Sequence, residues 1–313
     1  MPEINTLEKT AEKINAEIRR DPFTGNSVSL VKNGAPKKDI KKVIAEYPYG
    51  SPAVIVGSPH EHDLIMETPP RVEGRNNNIY DSRTPTGAHE YLHCDPNHPS
   101  MLEYLLIAFK DRILGLRTIR GVRYIAAFLE SKNQHDGKLV AEVVAFPTVP
   151  PAIKSELIGS SKHFDLRDNR CLWCDIIKEE IASWERVIYQ NDFALSIVPY
   201  QQRYEFEAHL FPTKHTADFG YLDRHELQHL ADALDQTIKR IKLHSEGDYI
   251  LDIHTVPLAL PPSDNLSQNK DISHFFHTHI EVTSISAKEY GRTGIYRRNG
   301  TPEELAKLLR QYF

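Results

Sequence analysis

The chain has 313 residues, with 38 Lys and Arg against 43 Asp and Glu, a formal charge of −5, 40% hydrophobic residues and only 3 cysteines. That length holds one large domain or two ordinary ones, and that apolar content excludes disordered and fibrous classes. A mildly acidic chain with scattered Lys and Arg offers no electrostatic footprint, so neither nucleic acid nor a membrane surface is expected as a partner. No run approaches the ~18 apolar residues of a membrane span, and the first 20 residues lack the apolar core of an export signal. Three cysteines cannot build a disulfide framework, so the expected setting is the reducing cytoplasm. Histidine stands out instead, with 16 residues, and it is both the commonest metal ligand and the side chain that titrates near neutrality.

In chain order, residues 1–20 read as a short polar helix that ends in the turn-rich Asp21-Pro22-Phe23-Thr24-Gly25. A strand is predicted at 27–31, an apolar run follows at 53–56, and residues 71–85 read as an exposed polar connection. From Gly87 the pattern tightens into a strand at 88–93 and then a helix whose Leu102, Leu105, Leu106, Phe109, Ile113 and Leu116 share one face. Strands at 122–128 and 139–146 flank a turn at Asp136-Gly137. Residues 147–151 and the polar stretch 160–170 are expected to link this unit to the next.

Cys171-Leu172-Trp173-Cys174 opens a short helix, followed by strands at 186–189, 194–198 and 207–211. A long helix then begins at Asp223, with Glu226 three residues on as in a capping box, and carries Leu227, Leu230, Leu234, Ile238 and Ile241 at helical spacing. Strands at 249–254 and 274–282 and a C-terminal helix opened by Thr301-Pro302 complete the chain. The fold class is therefore α+β, with two units of similar plan at residues 1–165 and 166–313.

The sharpest chemical signal is His277-Thr278-His279 in an apolar run. Residues i and i+2 of a strand point to one face, so both imidazoles would look the same way, and His254 ends the preceding strand. Three histidines on neighbouring strands suit a metal site. The Cys171-x-x-Cys174 pair has no second such pair beside it, so it reads as a structural turn with reduced thiols. Lys214-His215, just past a strand, reads as a loop-shaping pair.

These segments, taken together, resemble the galactose-1-phosphate uridylyltransferases and related nucleotidyltransferases and phosphorylases of the histidine-triad superfamily. Arg20 to Gly25 is similar to the family's R-x-P-L-T-G opening, and Gly87-Ala88-His89-Glu90 with Asp95-Pro96-Asn97-His98 to its G-x-H-E strand and P-x-H turn. Ala145-Phe146-Pro147-Thr148-Val149-Pro150-Pro151 matches the segment after the family's catalytic strand. Val198-Pro199-Tyr200, Phe206-Glu207, Pro212-x-Lys214-His215, His254-x-x-Pro257, His277-x-His279 and Thr293-Gly294-Ile295-Tyr296 keep the family's order.

The resemblance implies two pseudo-symmetric histidine-triad halves, each an antiparallel half-barrel flanked by helices, assembled as a homodimer that acts on a nucleotide or nucleotide sugar and a sugar-1-phosphate. It also implies one zinc or iron per chain, held by Glu156, His254, His277 and His279. The family's first-half motif H-P-H-x-Q falls on residues 138–142, which places Val140 at the covalent nucleophile and Glu142 at the phosphate-contacting glutamine. Valine forms no phosphoramidate, and a carboxylate repels a phosphate. His135 is the imidazole nearest in sequence. The family's other zinc site would have to be rebuilt from His60, His62 and His98, with Cys94 beside them, because its last ligand position is Lys138. Two functions follow: a divergent uridylyltransferase-like enzyme, or a repurposed, catalytically inactive ligand-binding protein that keeps the structural metal. Metal-assisted hydrolysis at Glu156, His254, His277 and His279 ranks behind both, since four protein ligands close a site.

Overall fold

In the computed structural model the described residues are 89–118, 122–135, 138–146, 148–245, 247–260, 271–285 and 300–311, preceded by strand segments at 16–20, 27–31, 54–57 and 81–83. In chain order the strands and helices are β1 (Ala16–Arg20), β2 (Ser27–Val31), β3 (Val54–Gly57), β4 (Asp81–Arg83), β5 (His89–Cys94), α1 (Met101–Leu116), β6 (Tyr124–His135) and β7 (Lys138–Phe146). They continue with α2 (Pro151–Leu166), α3 (Leu172–Ser183), β8 (Val187–Gln190), β9 (Ala194–Ile197), β10 (Glu207–Pro212), α4 (Arg224–His244), β11 (Asp248–His254), β12 (His279–Ile285) and α5 (Pro302–Arg310).

Strands β2, β1 and β4 form a small antiparallel sheet. The main sheet has nine strands in the order β3-β5-β7-β6-β11-β12-β10-β9-β8. Strands before residue 147 occupy one side and strands after residue 186 the other, and they meet at the β6–β11 pairing of Ala127 to Glu130 with Ile250 to Ile253.

Alternation along β7 sets the two faces. Leu139, Ala141, Val143 and Ala145 enter the core under α1, while Val140, Glu142, Val144 and Phe146 take the opposite face. On α1 the buried residues Leu105, Leu106, Phe109, Ile113 and Leu116 form the stripe expected from the sequence. They share one core with Leu227, Leu230, Leu234, Ile238 and Ile241 of α4, and each such fully buried side chain contributes about 1.5–3 kcal/mol. The α4 capping box is formed in full: Asp223 Oδ1 accepts from the Glu226 amide at 2.8 Å, and Glu226 Oε2 accepts from the Asp223 amide at 2.8 Å.

Four expectations need correction. Residues 16–20 are a strand, held by pairing with β2 and β4, and the rest of the expected first helix lies outside the described residues. Asp81–Arg83, within the expected polar connection, is β4. The expected linker at 160–170 is mostly the end of α2, a helix with Pro151 in its first turn. Its buried positions are Ile153, Leu157, Ser160 and Ser161, so small polar side chains stand where an apolar stripe would show. The last strand begins at His279, because residues 272–274 form a short 3-10 turn and 275–278 have no regular structure. On the face opposite α1, helix α2 packs Ile153 and Leu157 against Tyr124, Phe275 and Phe276.

Candidate functional site

The face away from α1 and α4 carries the polar chemistry. Reading across the register, Glu142 of β7 pairs with Phe128 of β6, Phe128 with Asp252 of β11, Asp252 with Glu281 of β12, and Glu281 with His209 of β10. Two residues along, on the same face, His254 pairs with His279. Helix α2 lies over this end of the face and lowers Glu156 between the two imidazoles.

Glu156 Oε1 is 2.9 Å from His254 Nδ1, and Glu156 Oε2 is 3.8 Å from His279 Nε2. The His279 Nδ1–H donates to the His277 carbonyl at 3.0 Å, which leaves Nε2 as the lone-pair nitrogen aimed at Glu156. Both Glu156 Oε2 and His279 Nε2 are buried without a hydrogen-bond partner. Two orphaned lone-pair atoms facing each other are what a cation between them would satisfy, and mixed carboxylate and imidazole donors suit zinc or ferrous iron. The ligand atoms of Glu156, His254, His279 and Glu281 lie within 4.8 Å of one another. Burial pushes Glu156 up, but His254 and His279 outweigh it and hold the carboxyl below its ordinary range. Burial drives His279 down to about 4, so it is neutral at pH 7 and able to ligate. His279 is also buried, with the Trp173 and Phe211 ring centroids 4.7 and 5.6 Å from its own.

Glu281 is shared with a second cluster. Arg203 donates to Glu207 Oε1 and Glu281 Oε2, each at 2.6 Å, and His209 Nε2 lies 3.2 Å from Glu207 Oε1 and 3.2 Å from Glu281 Oε1. Glu207 is fully buried, and burial that would raise its pKa is overcome by His209 and Arg203. The Arg203 guanidinium supplies the positive charge that a second cation would bring to this carboxylate pair.

His277 is not part of the Glu156 cluster. Because the strand starts at His279, the period-two argument that put both imidazoles on one face does not reach residue 277. His277 instead joins Cys171, Cys174 and His215, whose ligand atoms also lie within 4.8 Å of one another. Cys174 Sγ is 3.2 Å from His215 Nδ1 and 3.6 Å from His277 Nδ1. Each ring turns its other nitrogen to a backbone carbonyl, His215 Nε2 to Ser273 at 2.8 Å and His277 Nε2 to Pro212 at 2.9 Å. That bond fixes the tautomer whose Nδ1 carries the lone pair, the arrangement that metal-ligating histidines use. Hydrogen bonding from Cys174 holds the Cys171 thiol below its usual range. Two thiols and two imidazoles form a donor set for tetrahedral zinc. The CxxC is therefore part of a four-residue cluster and not an isolated turn, and the signal for it lay in the order C-x-x-C, K-H, H-x-H.

Of the other expected positions, Val140 is 7% exposed on the polar face of β7, and Glu142 accepts a 3.3 Å hydrogen bond from Asn133 Nδ2. His98 sits in the turn before α1 and accepts from the Ser100 amide through Nδ1 at 3.1 Å. Cys94 is buried in the α1 core, its thiol pushed up to about 12 by burial, so it faces away from any site on the polar face. His60 and His62 lie outside the described residues. His135 pairs through its backbone with Lys138 at the end of the β6–β7 hairpin. Among the described residues no helix is long and apolar enough to cross a membrane.

The chain is thus an α+β protein with two compact donor clusters beside an extended sheet face. No protein-family profile matches the sequence. It is 25% identical to galactose-1-phosphate uridylyltransferase of Thermotoga maritima, over 94% of this chain and 98% of that protein. It is 27% identical to ADP-glucose phosphorylase of Arabidopsis thaliana, over 66% of this chain and 57% of that protein. The fold matches a solved uridylyltransferase with a TM-score of 0.72 at 21% identity, covering 94% of this chain and 97% of that one. It also matches the Arabidopsis ADP-glucose phosphorylase solved with bound ADP-glucose, at a TM-score of 0.67 and 20% identity, covering 95% of this chain and 99% of that one. The chain is thus similar in sequence and in fold to the galactose-1-phosphate uridylyltransferases.

Proposed function

We propose that the protein transfers a nucleotidyl group between a nucleotide sugar and a phosphate acceptor, either a sugar-1-phosphate or inorganic phosphate. The observation that carries this reading is the match to a uridylyltransferase over 94% of this chain and 98% of that protein. The chain's two units, residues 1–165 and 166–313, would act together as a cytoplasmic homodimer.

Two metals are part of the proposal. Glu156, His254 and His279 would hold zinc or iron, with Glu281 beside them, and Cys171, Cys174, His215 and His277 would hold zinc. Each would tie α2 or α3 to the strand ends and supply rigidity. The buried position of His279 leaves catalysis to the sheet face around Val140 and Glu142, which stand at the family's nucleophile and phosphate-contact positions.

Val140 favours a second reading, in which the protein binds a nucleotide sugar without turning it over. Incubation with UDP-glucose or ADP-glucose plus phosphate or galactose-1-phosphate, followed by chromatography of the products, separates the two. Formation of a nucleoside diphosphate or a new nucleotide sugar supports transfer. Calorimetric binding with no product under any pairing supports the second reading and overturns the first.

A further inference from the structure

Val140 is flanked in space by an imidazole that its own stretch of sequence does not contain. In the antiparallel pairing of β5 with β7, His93 stands directly opposite Val140, and Tyr91 opposite Glu142. Side chains of directly opposed residues rise from the same face with Cβ atoms about 4.5–5.5 Å apart. The face is the polar one: Leu92 and Cys94, either side of His93, enter the α1 core, as do Leu139 and Ala141 either side of Val140. His93 is half-buried, whereas His279 and His254 are closed off. The position that the resemblance assigns to the nucleophile therefore has an imidazole one strand away, displaced by about one strand spacing, roughly 5 Å.

Glu142 gains a use from the same register. It is the diagonal neighbour of His93, about 7–8 Å between Cα atoms and within reach of a long side chain. A carboxylate that repels phosphate when it contacts it can instead accept the N–H of an imidazole, fix its tautomer and turn the other nitrogen outward.

We infer that His93 is the covalent nucleophile of this protein, with Glu142 as its positioning residue; the inference rests on the nucleotidyl-transfer reading. One ring nitrogen of His93 attacks the α-phosphorus of the nucleotide sugar. A P–N bond forms, the bond from that phosphorus to the bridging oxygen breaks, and the sugar-1-phosphate leaves with the electron pair. The proton on the other ring nitrogen stays there, held by Glu142. A phosphate oxygen of the acceptor then attacks the same phosphorus, the P–N bond breaks, and His93 recovers its lone pair.

The test is to incubate the full chain with UDP-glucose or ADP-glucose labelled at the α-phosphorus, denature it, and map the acid-labile, base-stable label by peptide mass spectrometry. Label on His93 is expected, with loss of labelling and a fall in turnover of roughly 10³-fold or more in His93→Gln. Glu142→Gln should still label His93, about tenfold more slowly in a single turnover. Label on another residue, or wild-type turnover that survives in His93→Gln, overturns the role of His93 and leaves the transfer reading standing. Absence of both label and turnover in the wild type overturns both. Mapping the wild-type protein needs no variant, so a misfolded His93→Gln leaves the inference testable.

Discussion

Replacing His277 by Asn discriminates between the two ways of grouping the histidines. If His277 completes the cysteine cluster, removing its Nδ1 leaves Cys171, Cys174 and His215 as three ligands. Zinc binding in four-ligand structural sites amounts to about 10–16 kcal/mol, so one ligand accounts for roughly 3 kcal/mol, on the order of 10²-fold in affinity. The assay is metal content after dialysis against a chelator of graded strength, paired with cobalt substitution, in which thiolate ligation gives a sulfur-to-cobalt charge-transfer band. His277→Asn should lose that band and one metal per chain while the Glu156 cluster keeps its own. His254→Asn should do the reverse, because His254 lies 2.9 Å from Glu156 and contributes nothing to the thiols. If His277→Asn empties the Glu156 cluster and the charge-transfer band persists, the separation of the two sites is wrong.

Two further outcomes follow from burial. Arg203→Met strips the guanidinium from the fully buried Glu207 and from Glu281, and should destabilise the fold by about 3–5 kcal/mol in urea unfolding, most of it recovered by adding Glu207→Gln. Leu157→Ala opens the packing of α2 on Tyr124 and Phe276 and should cost about 2–5 kcal/mol. Since α2 carries Glu156, that change should also weaken metal retention at the Glu156 cluster and leave the cobalt–thiolate band intact; equal loss at both sites would refute the link.

Most strands were legible as apolar runs bounded by turns: residues 139–146 form the expected strand and place every second side chain in the α1 core. The long helix was legible to its cap, because Asp223 and Glu226 sit at the spacing that a capping box demands. Helix α2 was hidden by Ser160 and Ser161, which take buried positions without an apolar signature. The ligand sets were half legible. His254, His279 and Glu156 meet as the resemblance implied, but the fate of His277 turned on where a strand begins, a boundary set by the 3-10 turn at Ile272–His274. His93 could not be singled out from sequence at all. Its significance comes from the residue opposite it, and register between strands separated by a helix is fixed by tertiary packing rather than by local pattern.

The β6–β11 seam imposes an order of events on biosynthesis. Ala127 pairs with Ile253, so more than a hundred further residues must be made before β6 meets its neighbour in the sheet. At about 5–20 residues per second that wait is roughly 6–25 s, during which β6 presents an open hydrogen-bonding edge beside an already apolar β7. The nascent first half is therefore exposed to edge-to-edge association on the ribosome, and conditions that slow elongation between residues 130 and 250 should lower soluble yield without altering the finished protein.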